Sequence, residues 1–249
     1  MDSAAYFDKV AKELGQDSFI NRTDNEVECD LAFNCESAPH FITGKKLTFI
    51  YHIDPTWNHA NNISHRMPDC DLIFSTHKDV PYKDDPKFRY LPHAAYDGWY
   101  TGEEKQYDIF LPPSPPSRQD RRELSEKLAA KYNTTTVPYG TPTEEYIKEM
   151  RKCRIIFNLS GRGDLNRKIF DGMLHGVLVT NELKELPLIG EKGKHYFTFK
   201  DDPIPLLDNL LSDYDTLSKV DHESTQLVLH NHTYTHRVMY ILDCMKEMI

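Results

Sequence analysis

Along the chain, short apolar runs alternate with longer stretches in which apolar residues recur every third or fourth position. That alternation is the pattern of strands joined by crossover helices. In the first part, "DLAFNC", "KLTFIYHI", "DLIFST" and "FRYLP" read as strands. The segment Tyr96 to Gln106, "YDGWYTGEEKQ", is polar, glycine-containing and poor in aliphatic residues, which predicts a domain junction. After it come the strand "YDIFLPP", a helix through "SRQDRRELSEKLAAKY", the strand "TTTVPY", a helix through "PTEEYIKEMRKC", the strand "RIIFNLS", the helix "LNRKIFDGMLHG" and the strand "VLVT". This βαβαβαβ order predicts an α/β chain of two Rossmann-like domains facing each other, a short one over residues 1–102 and a second over 103–249. The stretch "THRVMYILDCMKEM" keeps helical periodicity and is expected to close the second.

One helix start carries an unusual charge. In "NLSGRGDLNRKIFDGMLHG", Asp164 is the expected N-cap and Gly176 the expected left-handed terminus. Leu165, Ile169, Phe170, Met173, Leu174 and Val177 form the apolar stripe, so Lys168, Asp171 and His175 project together on another face, with Arg167 to one side. Cations in a first turn oppose the helix dipole by up to ~1 kcal/mol unless an anion sits there. A surface ion pair between Lys168 and Asp171 explains the spacing simply. A nucleoside diphosphate explains it too, since ligands of open α/β sheets bind beyond the carboxyl ends of strands and "RIIFNLS" leads directly into this helix. The cation would then meet the phosphates and the carboxylate the ribose hydroxyls.

Composition narrows the partners. With 30 Lys and Arg against 39 Asp and Glu, the net charge of −9 is a poor global match to a polyanion. The five cysteines are scattered and form no metal-ligand spacing, as expected of reduced thiols in the cytoplasm. No apolar run approaches the ~18 residues of a membrane span, so no membrane partner is expected.

The run "FNLSGRGDLNRKIFDGMLHGVLVTN" resembles the nucleotide-binding segment of the spore-maturation-type (CgeB-like) glycosyltransferases, a group with the GT-B fold. Asn158, Ser160, Asp164, Asn166, Phe170, Gly176 and Thr180 match its pattern. Lys168 stands where the group has arginine, and Asp171 where it has glutamate. Both departures keep charge, but lysine cannot make the bidentate phosphate fork of arginine and aspartate reaches less far. Weaker resemblance extends over "DLAFNCESAPHFITGKKLTFIYHIDP", over the stretch ending in "LPHAAYDGWY", and over "HTYTHR". One segment departs: where such proteins carry a glycine-bearing turn after the first strand of the donor domain, this chain has "LPPSPPSR", and Arg118 or Arg121 would supply contacts from side chains.

The resemblance implies transfer of a sugar from a nucleotide-diphosphate sugar, such as a UDP-sugar, to a hydroxyl acceptor: a glycan, a protein or a modified base. The nucleotide sugar is a co-substrate, and no cofactor is expected. Asn158, Ser160, Arg162, Lys168, Asp171 and Arg118 are the expected donor-binding residues. For the base that activates the acceptor, "YHIDP" offers Asp54 first and His52 second, at the end of a strand; a turn-forming Asp-Pro is the plain alternative. No metal site is expected, because Asp69-Cys70-Asp71 precedes its strand rather than ending one. Two other functions fit: a virus-type DNA-base glycosyltransferase, for which the six cations between Arg151 and Lys168 suggest a local basic surface, and a non-catalytic nucleotide-sugar-binding module.

Overall fold

The computed structural model describes residues 3–18, 20, 28–35, 43–52, 67–160 and 165–249. The chain divides into two compact units, one of Asp2–His93 with Tyr234–Ile249, the other of Ala94–Thr233. The closing helix therefore groups with the first unit, whereas the sequence reading placed it with residues 103–249.

In the first unit, β1 (Leu31–Cys35), β2 (Leu47–His52), β3 (Leu72–Ser75) and β4 (Phe88–Tyr90) form a parallel sheet in that order. On one face, Phe7 of α1 (Ser3–Glu13) meets Phe33 and Tyr51 at ring distances of 5.0 and 5.4 Å. Tyr6 stacks at 4.8 Å on Tyr234, the first residue of α7 (Tyr234–Met248). Ile50, Ile73, Cys70, Val80 and Tyr82 fill the other face. Burial on both faces is why β2 and β3 read as continuous apolar runs, whereas β4, at the edge of the sheet, is half-buried. Arg237 of α7 is nearly buried and donates to the carbonyls of Pro92 and His93 at 2.9 and 3.1 Å, so it anchors the chain beyond β4.

The second unit holds a five-stranded parallel sheet of order β6-β5-β7-β8-β9. Its elements are β5 (Tyr107–Phe110), α2 (Gln119–Ala129), β6 (Thr134–Thr135), α3 (Thr143–Arg151), β7 (Cys153–Asn158), α4 (Arg167–His175), β8 (Val177–Asn181) and β9 (Phe197–Phe199). Two helices complete it, α5 (Ile204–Ser212) and α6 (Tyr214–Asn231). The expected βαβαβαβ order is present, whereas β9, α5 and α6 were not foreseen. The stripe of α6 is interrupted: between Leu217, Val220 and Val228, the buried positions are Ser224 and Thr225. Their hydroxyls donate to the carbonyls of Asp221 and Leu174, so two polar residues pack where periodicity looks for apolar ones. Among the described residues, no helix is long and apolar enough to cross a membrane.

Candidate functional site

The carboxyl ends of β7 and β8 are tied together by side chains. Asn158, the last residue of β7, is buried and donates to Thr180 Oγ1 at 3.1 Å. The next residue of β8, Asn181, accepts the Ser160 backbone N–H at 2.8 Å. Two neighbouring strand ends thus hold the loop that leads to α4. Residues 161–164 follow, and the expected Arg162 and Asp164 lie outside the described residues.

The helix starts later than Asp164 would have capped it. Asn166 is the N-cap, its side chain accepting from Lys168 N at 3.0 Å, and Arg167 is the first helical residue. At the other end Gly176 is extended, with φ 174°, and not left-handed as expected. Its requirement is room. A Cβ there would sit 3.0 Å from Arg154 O and 3.2 Å from Cys153 O. Lys105 closes this end instead, donating to His175 O at 2.6 Å from a half-buried position where desolvation lowers its pKa. His175 is buried, and desolvation, with Arg151 and Lys105 nearby, drives its pKa down to about 3. It is therefore a neutral core residue.

Leu165, Ile169, Phe170, Met173 and Leu174 of the expected stripe pack in one cluster with Leu178 and Val228, whereas Val177, also counted in that stripe, begins β8 and packs in another cluster with Ile155 and Val179. The supposed open face is covered as well, because α3 packs against it. Tyr146 of α3 is buried, and Lys168 Nζ stands 6.0 Å from its ring centre. Asp171 is only 2% exposed, and its Oδ2 takes a 3.0 Å bond from Arg167 Nε. Burial raises the Asp171 carboxyl to about 6, against the lowering effects of Arg167 and Lys168. Burial likewise raises the Tyr146 hydroxyl, with the Asp171 charge adding to it. The chemistry available here is a part-buried ammonium beside the first turn of a capped helix and a desolvated carboxylate one turn on.

The remaining expected residues stand elsewhere. Arg118 precedes α2 and places its guanidinium on Asp120, with bonds of 2.8 and 2.5 Å. An anion at this loop would have to compete with that surface pair. No described hydrogen bond or ion pair joins Arg118 to Asn158, Ser160, Lys168 or Asp171. His52 ends β2, its backbone in register with Ser75, and Asp54 lies outside the described residues. Asp71 of the Asp-Cys-Asp run accepts the Thr48 backbone N–H at 2.7 Å, a structural duty at the start of β3. The described cations between Arg151 and Lys168 do not gather at one end of β7. Arg151 and Lys152 lie at the amino end of β7, and Arg167 and Lys168 lie beyond its carboxyl end. Among the described residues, Arg151 pairs with Glu103, Lys152 with Glu149, Arg154 with Asp108 and Arg167 with Asp171. Tyr146 and Asn181 escaped the sequence reading. Tyr146 looks like an ordinary stripe residue of α3, and Asn181 follows the matched run's last fixed position.

A family model described as glycosyl transferase-like matches residues 118–243, a span that holds Tyr146, Asn158, Ser160, Arg167, Lys168, Asp171 and Asn181. No curated protein matches the sequence. Among solved structures, the HepE protein of Anabaena in complex with UDP and glucose aligns with a TM-score of 0.64 at 10% identity, over 88% of this chain and 78% of that one. A glycosyltransferase of Rickettsia africae aligns with a TM-score of 0.58 at 11% identity, over 98% and 80%. The DNA-modifying enzyme beta-glucosyltransferase aligns with a TM-score of 0.56 at 13% identity, over 98% and 92%. These likenesses establish an α/β GT-B fold with two parallel-sheet, Rossmann-like parts.

Proposed function

We propose that this chain, which belongs to the glycosyl transferase-like family, moves a sugar from a nucleoside-diphosphate sugar to a hydroxyl acceptor, with its donor site at the loop after β7 and the start of α4. The observation that carries the reading is the arrangement at that helix start: Asn166 as cap, Lys168 in the first turn and the buried Asp171 carboxylate one turn on. An ammonium there compensates the leaving diphosphate, and Asp171 accepts from the ribose hydroxyls. Asn158 and Ser160 shape the loop, and Arg162 and Arg118 lend further positive charge. UDP is the nucleotide of choice for this reading, because the structures of HepE and of the beta-glucosyltransferase are described with UDP or uridine diphosphoglucose. Within the family, the run from Asn158 to Asn181 supports kinship with the spore-maturation-type group.

Asp54, or His52 in its place, deprotonates the acceptor hydroxyl, and no metal or other cofactor takes part. The protein works in the cytoplasm, in keeping with the free thiols of Cys29, Cys70, Cys153 and Cys244. A glycan or protein acceptor is the first reading. A DNA-base acceptor is the second, favoured by the beta-glucosyltransferase, of which this chain covers 92%. The pairing of the Arg151 to Lys168 cations weighs against it.

Thermal-shift screening over nucleotide sugars, followed by transfer assays with and without EDTA, tests the proposal. A ligand at ~100 times its dissociation constant adds ~2.7 kcal/mol of stability, which such a screen resolves. Binding without hydrolysis or transfer would leave only a binding module. Loss of transfer in EDTA, restored by manganese, would end the metal-independent mechanism.

A further inference from the structure

Arg167 occupies the one unspecified position between the asparagine cap and the matched cation, so the resemblance gives it no role. The structure does. Its Nε lies 3.0 Å from Asp171 Oδ2, and the side chains are 24% and 2% exposed. An ordinary helix-surface pair does not account for this contact. A cation four residues before an acid, at a helix N-terminus, is the less favourable order, because both charges oppose the dipole. A fully exposed carboxylate would gain little from it, whereas this one has lost its water. The bond also divides the carboxylate: Oδ2 is held, while Oδ1 accepts no hydrogen bond from any described residue.

We propose that Arg167 is a positioning residue of the donor site: it keeps the buried Asp171 ionised and fixed through one oxygen, leaving the other to accept from the nucleotide. This rests on the assignment of Asp171 to the donor. Burial works against ionisation here, raising the carboxyl to about 6, and Arg167 is the strongest influence in the opposite direction. Lys168 assists from the same helix. Tyr146 faces the carboxyl from α3 and is itself pushed further from ionisation, so it stays neutral. Asp221 of α6, which also packs on α4, is instead coupled to Lys105 at the opposite end of the helix. Removing Arg167 should therefore leave Asp171 largely protonated near neutrality, a donor where an acceptor is needed.

The test is carried out on the full chain with Arg167→Gln and Arg167→Lys, using UDP as the probe. Carbon-detected NMR follows the Asp171 carboxyl, assigned by its loss in Asp171→Asn, and calorimetry follows UDP affinity across pH. In Arg167→Gln the carboxyl should titrate ~1 to 3 pH units higher, as for an acid that loses an adjacent arginine. UDP binding at pH 7 should fall by roughly 2- to 100-fold and recover as pH passes the new value, following the ionised fraction. Arg167→Lys should restore part of both, which a purely structural role would not produce. If the carboxyl titrates in Arg167→Gln where it does in the wild-type protein, the inference fails. A carboxyl that moves while UDP affinity stays flat with pH would instead sink the donor assignment of Asp171.

Discussion

Replacing Asp171 by asparagine should stabilise this protein at neutral pH relative to acid, while weakening its hold on a nucleotide. The reasoning starts from burial. A carboxyl that titrates near 3.8 when unfolded titrates at about 6 in the folded chain, because burial removes its water. Below the lower value both states carry the proton and the group is neutral in its effect. As pH rises from about 4 to 6 the unfolded chain ionises first, so stability is lost across that window and the loss is complete above it. The displacement from 3.8 to about 6 corresponds to an order of magnitude of ~3 kcal/mol. Asparagine has no such dependence. The charge-assisted bond from Arg167 is already contained in that displacement, and exchanging the neutral carboxyl for an amide adds only an offset that does not vary with pH. The quantity to measure is therefore the difference in urea-unfolding free energy between variant and wild type at several pH values from 4 to 7.5. That difference should move in favour of the variant by ~1 to 3 kcal/mol as pH rises. A flat difference, or one that moves the other way, would show that Asp171 is not a desolvated carboxylate and would remove the basis of the site's electrostatics.

Lys168→Ala should weaken UDP-sugar binding by roughly 10- to 100-fold, the equivalent of one charged hydrogen bond, while the free protein keeps or slightly gains stability once a cation leaves the first turn; calorimetry and thermal melts read both. Gly176→Ala should cost ~1 to 3 kcal/mol in urea unfolding, because its Cβ would press on the Arg154 and Cys153 carbonyls, which strand β7 cannot move aside. Asp54→Asn should keep donor affinity and lower transfer by ~10² to 10⁴ under saturating substrates; a wild-type rate would reduce Asp54 to a turn residue and bring His52 forward.

What the sequence determined by itself is the order of strands and helices and the stretch from Asn158 to Asn181 that carries the candidate site. Strands β1 to β8 were legible, most plainly β3, β7 and β8, because a parallel strand covered on both faces is a nearly unbroken apolar run, as in "CRIIFN". Helices α2, α3, α4 and α7 were legible from their stripes, and the run from Asn158 to Asn181 because its matched residues are contiguous. Tertiary structure decided the rest. Helix α6 was hidden because Ser224 and Thr225 pack in the core by donating to carbonyls, one of them on α4, which no hydropathy pattern records. Asp164 and Asn166 are both good caps, and the helix begins after Asn166, with Leu165 already buried against the core. Periodicity put Lys168, Asp171 and His175 on a common face but was silent on what covers it. Tyr146 of α3 stands over Lys168 and Asp171, where burial leaves a desolvated carboxylate beside Arg167, and burial near Arg151 and Lys105 makes His175 a neutral core residue. A side chain's charge state depends on the water it has lost, and that loss is a property of neighbours brought together only by folding.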